Sequence, residues 1–140
     1  MPEDSTQVCM ILSGCPDILS LIRRIIAASV DNLSLKPALL NDIKLATTEA
    51  CTNIIKHAYQ FDTEKTFDLK IKVSNDLILI EVTYDDPEFM PETIPTPNLN
   101  EIKEGGLGVF IIRNIMDAAQ YDTNNDTGRV ILQMIKLFNP

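Results

Sequence analysis

The spacing of apolar residues changes several times along the chain, and each change marks an element. "TQVCMILSG" (6–14) alternates apolar and polar residues, as a strand with one buried face does, and Gly14 closes it. "PDILSLIRRIIAASVDNL" (16–33) carries Ile18, Leu21, Ile22, Ile25 and Ile26 at helical spacing, and Pro16 suits a first helical turn. After a break at "LSLKP", a second helix is predicted from about Pro37 to Ala58, with Leu39, Ile43, Ala46, Ala50 and Ile54 as its core stripe. In "TFDLKIKVS" (66–74), Phe67, Leu69, Ile71 and Val73 alternate with Asp68, Lys70 and Lys72, which predicts one buried and one wet face. Asn75-Asp76 reads as a hairpin turn, and "LILIEVTY" (77–84) as the partner strand.

Residues 85–104 follow neither period. Pro87, Pro91, Pro95 and Pro97 exclude a regular helix or a central strand there, and so long a connection in a compact domain is often functional. "GGLGVFIIRNIMDAA" (105–119) then reads as a Gly-rich start to a third helix, and "QYDTN" and "RVILQMIKLF" around the turn "NDTG" as a closing hairpin. The order β-α-α-β-β-loop-α-β-β predicts an α+β two-layer sandwich: a mixed, mostly antiparallel sheet covered on one face by about three helices. At 140 residues the chain is expected to form one domain over 1–140, long enough to bury a sizeable core.

Charge narrows the partners. The chain is 45% hydrophobic and 23% charged, with a net charge of −8 and a pI near 4.5. That argues against nucleic acid or an anionic membrane, both of which need a basic footprint. Nucleotides stay open, because backbone N–H groups and Mg²⁺ can hold phosphate. No apolar run reaches the roughly 20 residues that span a bilayer, and the polar, acidic "MPEDSTQV" does not resemble a secretory signal. Cys9, Cys15 and Cys51 are expected to be thiols of a cytoplasmic protein, and with a single His they lack the spacing of a zinc site.

Two stretches carry candidate chemistry. In "TTEACTNIIKHAY" (47–59), Glu49, Asn53 and His57 recur every four residues, which on a helix places them along one face. Ala46 and Ala50 beside them leave room for a ligand. Glu49 suits a general base and Asn53 an oxygen ligand for Mg²⁺, although solvated positions on an amphipathic helix would look the same. In "GGLG" (105–108), glycines let backbone approach a phosphate at a helix N-terminus, and a hinge before a packed helix is the plainer alternative. The acidic strand end "YDDPEFMP" (84–91) could hydrogen-bond an amino group, or be a charged loop.

These stretches resemble a known group. "DIKLATTEACTNIIKHAY" (42–59) is similar to the N-box of the Bergerat-fold (GHKL) ATPases, and its E-A-C-T-N and H-A-Y to the anti-sigma serine kinases of the RsbW and SpoIIAB type. "GGLGVFIIRNIMDAAQYD" (105–122) resembles the second glycine box of that group, and "GRVILQMIK" (128–136) its closing strand. The resemblance implies ATP and Mg²⁺ as cofactors, and serine phosphorylation of a STAS-domain antagonist by a protein that also sequesters a sigma factor and forms a homodimer. It implies Glu49 as general base, Asn53 as the metal ligand, and His57 at the edge of the phosphates. Gly105, Gly106, Leu107 and Gly108 correspond to the lid that brings backbone N–H groups to the phosphates.

One box departs. The first glycine box of the group usually runs D-D-G-x-x-F-D-P after a strand ending I-x-V. Laid ungapped on "IEVTYDDPEFMP", Phe89 and Pro91 match, but Tyr84 stands where the adenine-reading Asp belongs and Asp86 stands on the Gly. A shift by one brings Asp85 into the base-binding role and puts Pro87 on the Gly. Two readings therefore stand: an ATP-dependent serine/threonine kinase, or a nucleotide-impaired binding module that keeps the fold for partner switching.

Overall fold

The structure is a computed structural model that describes residues 5–89 and 106–139. Five strands form one sheet: β1 (Thr6–Ser13), β2 (Thr66–Val73), β3 (Leu77–Asp85), β4 (Ala118–Asn124) and β5 (Arg129–Leu137). Their order across the sheet is β1-β2-β3-β5-β4, and every ladder among the described residues is antiparallel. Three helices, α1 (Ile18–Ser29), α2 (Pro37–Asn53) and α3 (Gly106–Ile115), cover one face. This is the expected two-layer sandwich, mostly antiparallel.

The period-two alternation places the core. Phe67, Leu69, Ile71 and Val73 of β2 are buried, as are Ile78, Ile80, Val82 and Tyr84 of β3 and Val130, Leu132 and Met134 of β5. Against them pack Ile22 and Ile26 of α1, Ile43, Ala46, Ala50 and Cys51 of α2, and Ile112 of α3. The intervening strand residues, Asp68, Lys70, Glu81, Thr83 and Arg129 among them, lie on the opposite face. One-residue slippage would exchange the two sets, so the apolar alternation pins the register.

The β2–β3 hairpin turns at Asn75-Asp76 as expected, with Ser74 N–H donating to the Leu77 carbonyl at 3.0 Å. The β4–β5 turn closes at Gly128, whose φ of +74° a side chain would strain. Two boundaries differ from the sequence expectation. Helix α1 ends at Ser29 and a separate 3₁₀ turn, Asp31–Leu33, follows. Helix α3 stops at Ile115 rather than 119, because Ala118 and Ala119 join the β4 ladder. Lys136 Nζ donates to the Ile115 carbonyl, and Asp117 accepts the Leu137 N–H, so β5 finishes the helix. Of the irregular segment expected over 85–104, residues 90–104 lie outside the described residues.

Candidate functional site

Helix α2 supplies one wall. It begins at Pro37, whose missing N–H costs nothing in a first turn. Ile43, Ala46, Thr47, Ala50 and Cys51 face inward, and the Thr47 hydroxyl is satisfied by the Ile43 carbonyl at 2.9 Å. Glu49 and Asn53 lie half-buried to one side of that stripe.

The start of α3 meets them there. A Cβ built on Gly108 would stand 3.0 Å from Asn53 Nδ2, 3.1 Å from Glu49 Oε2 and 3.2 Å from Asn53 Oδ1. Gly108 therefore lies directly against the two candidate groups of α2, and only a residue without a side chain leaves both undisplaced. Two motifs more than fifty residues apart in "TTEACTN" and "GGLG" are thus brought into contact. Gly106 and Leu107 form the first backbone positions of α3, and Gly105 lies outside the described residues.

His57 stands differently. The helix widens after Asn53 into a π turn, Ile54–Ala58, closed by Tyr59 N–H donating to the Ile54 carbonyl at 2.8 Å. The wider turn alters the angular step, so the interval from Asn53 to His57 does not repeat that from Glu49 to Asn53. His57 is exposed on this turn. Gln60 and Phe61 then take left-handed backbone, φ 48° and 63°, which reverses the chain.

Tyr59, to which the sequence reading gave no role, ties the walls together. Its hydroxyl donates to the Thr66 carbonyl at 2.6 Å and accepts the Asp85 N–H at 3.3 Å. One side chain thus joins the end of α2 to the start of β2 and the end of β3. Burial pushes its phenol pKa up, against the lowering by that Asp85 hydrogen bond. Its place in H-A-Y was the available signal.

At the end of β3 the strand alternation decides which side chain faces the helices. Tyr84 is buried with Ile78, Ile80 and Val82, whereas Asp85 projects from the open face. There Asp85 Oδ1 lies 3.6 Å from Arg129 Nη1, and Asp68 Oδ2 lies 4.0 Å from Arg129 Nη2. The structure thus does not bring Asp85 to Glu49, Asn53 and Gly108. Beside Tyr84, the Phe89 and Tyr121 rings pack with centroids 5.0 Å apart. Burial, then the neighbouring Tyr121, Asp86 and Tyr59, push the Tyr84 phenol well above its ordinary pKa.

The donor set suits a metal-bound polyphosphate at one end. Asn53 offers a neutral oxygen, Glu49 a carboxylate, and α3 a ten-residue helix whose N-terminal N–H groups favour anions. Among the described residues no three His, Cys, Asp or Glu side chains cluster as a metal cage, so Mg²⁺ here would take its other oxygens from phosphate and water. At the end of β3 Tyr84 faces the helical layer, with the half-buried Asp86 carboxylate near its phenol. No helix among the described residues is long and apolar enough to cross a membrane.

Comparison with known proteins agrees with this construction. Residues 12–136 match the profile of the histidine kinase-like ATPase domain. The serine-protein kinase RsbW of Bacillus subtilis is 24% identical over 147 residues, covering 99% of this chain and 90% of that protein. RsbW of Halalkalibacterium halodurans is 36% identical over 105 residues, covering 69% of this chain and 62% of that protein. Among solved structures, the RsbU and RsbW domains of Rv1364c from Mycobacterium tuberculosis superpose with a TM-score of 0.68 at 12% identity, over 96% of this chain and 33% of that one. The SiaB–SiaC complex from Pseudomonas aeruginosa gives 0.65 at 13% identity, over 93% and 89%. These structural likenesses speak to the fold, and the sequence matches to descent. With its N-box helix set against a glycine-started α3, the chain belongs to the histidine kinase-like ATPase domain family of Bergerat-fold proteins, related within it to the RsbW-type anti-sigma factor kinases.

Proposed function

We propose that the protein is an ATP- and Mg²⁺-dependent serine/threonine protein kinase that phosphorylates a STAS-domain antagonist and sequesters a sigma factor, acting in the cytoplasm as a homodimer. The contact of Gly108 with Glu49 and Asn53 is the observation that supports it best. In this reading the Asn53 carboxamide oxygen holds the metal, and the half-buried Glu49 carboxylate takes the proton of the acceptor serine hydroxyl. The bound Mg²⁺–ATP supplies the phosphoryl group and neutralises charge on it. A side chain at position 108 would displace both groups, so the glycine leaves Glu49 and Asn53 where they stand. The relation to proteins named serine-protein kinase points the same way.

Calorimetric titration with a Mg²⁺–ATP analogue, followed by phosphotransfer to a STAS-domain antagonist, tests it. Glu49→Ala should lower phosphotransfer by roughly 10²–10⁴-fold and leave nucleotide affinity largely intact. Asn53→Ala should remove the Mg²⁺ dependence of binding. No detectable binding at millimolar nucleotide would sink the kinase. That result would leave the second reading, a binding module that keeps the fold for partner switching, which the phenol of Tyr84 at the base end favours.

A further inference from the structure

Helix α2 runs from Pro37 to Asn53, so its first turn lies about 20 Å along the helix axis from Glu49 and Asn53. At that far end a cavity of about 530 Å³ opens between the α1–α2 connection, the β2–β3 turn and the residues that follow β5. Its volume falls within the range of small-molecule sites. Local backbone builds it. Leu33 N–H donates to the Val30 carbonyl at 3.0 Å to close the 3₁₀ turn, and Ser34 then takes left-handed backbone, φ 53°. The chain enters α2 from this reversal with Leu33, Leu35 and Leu39 half-buried against the core. Phe138 completes the apolar lining, and its N–H donates to the Asp76 carbonyl at 2.8 Å, which ties the end of β5 to the β2–β3 turn.

We propose that this cavity binds a small monocarboxylate with an apolar tail. The three leucines and Phe138 offer the tail a surface on which it leaves water. The rest of the lining is polar: Ser34, Lys36, Asn75 and Asn139. Lys36 is the only charged residue of that lining, and it is positive on a chain of net charge −8. The cavity therefore attracts an anion where the surface as a whole repels one. Asn75 and Asn139 each carry an amide that can donate to a carboxylate oxygen, and among the described residues neither they nor the Lys36 ammonium have a side-chain partner. The first turn of α2 contains no acidic residue to oppose the ligand's charge. One lysine matches one carboxylate, whereas a polyphosphate would keep most of its charge uncompensated here. Binding at this end of α2 needs no nucleotide at the other.

Titration of the full chain with octanoate, followed by the NMR shifts of its amide groups, tests this. Saturable shifts should concentrate in residues 33–39 and in the side-chain amides of Asn75 and Asn139. Hexanoate, two methylenes shorter, should bind about tenfold more weakly. Octanol, which keeps the tail and lacks the charge, should bind roughly threefold to fivefold more weakly, the worth of one exposed ion pair. Lys36 is exposed, so Lys36→Gln keeps the fold; it should bring octanoate down to the affinity of octanol and leave octanol unchanged. No saturable shift up to about 10 mM octanoate, above the dissociation constant of even a millimolar site, overturns the proposal. So do shifts confined to the open face of the sheet around Cys9, Lys70 and Thr83, where a second groove lies. A wild type that binds octanol as tightly as octanoate, or a Lys36→Gln variant that binds octanoate as the wild type does, overturns it equally, since the acid would then not be selected.

Discussion

Gly108 shows how one missing side chain joins two motifs. From the sequence, "GGLG" suggested backbone close to phosphate; in the structure Gly108 also makes room for Glu49 and Asn53, at the 3.0–3.2 Å where its Cβ would be. Its φ lies outside the left-handed region, so the backbone admits alanine. Gly108→Ala should therefore raise helix propensity, worth up to about 1 kcal/mol, while displacing the carboxylate and carboxamide ends. Denaturant unfolding is expected to show unchanged or higher stability, and calorimetry about tenfold weaker Mg²⁺–nucleotide binding, the loss that one imperfect polar contact brings. A parallel fall in both would mean that the contact matters only for folding. The placement of Tyr84 and Asp85 was not legible in the same way. Two motif registers were open, and what the structure adds is placement: the strand's alternation buries Tyr84 and sets Asp85 on the open face opposite Arg129 in the β3–β5 ladder.

Helix α2 was legible nearly to its end. Its core stripe and its length to Ala58 follow from the spacing of Ile43, Ala46, Ala50 and Ile54, but the π form of its last turn leaves no periodic signature. The early end of α3 was hidden for another reason: Lys136, which bonds its last carbonyl, and Leu137, which holds Asp117 just beyond it, arrive from a distant strand. The same holds for Tyr59, whose hydroxyl connects three elements. Tyr59→Phe should cost about 1–2 kcal/mol of unfolding free energy, measured by urea denaturation, because the Thr66 carbonyl loses its donor and the Asp85 N–H its acceptor. The ring would stay packed against Gly14, 3.2 Å from where its Cβ would be, so no cavity adds to the loss. An unchanged midpoint would show that water replaces the hydroxyl at no cost.

The two-layer sandwich followed from element order and binary patterning, because each strand except the edge strand β4 has a clear apolar face. The strand order did not, since placing β5 between β3 and β4 depends on pairings that no local pattern encodes. The core also holds groups that prefer to stay neutral. Burial pushes the Cys51 thiol from its ordinary 9.0 up to about 12, and burial likewise raises Tyr59, Tyr84 and Tyr121 above the ordinary tyrosine value of 10.0. An unfolded chain would release these protons first as pH rises. Their contribution is thus complete below about pH 9 and is lost progressively between the unfolded and folded pKa values, by at most about 1.4 kcal/mol per pH unit for each group. Thermal unfolding should show a melting temperature flat to pH 9 and falling above it, with a shallower fall in Cys51→Ala. A flat profile to pH 11 in the wild type would contradict the burial of these groups.

Between Glu49 and Asn53 lie Ala50 and Cys51, both buried in the core. The same five-residue stretch therefore carries two interleaved messages, one addressed to folding and one to chemistry, kept apart only by their phase around the helix axis. Point substitutions can edit either message separately. Insertion or deletion of a single residue between Ala46 and Asn53 cannot, for it would turn Glu49 or Asn53 toward the sheet and bring an alanine or the thiol round to face Gly108. Descendants of this sequence are free to lengthen their turns, but the length of this segment is held constant by geometry.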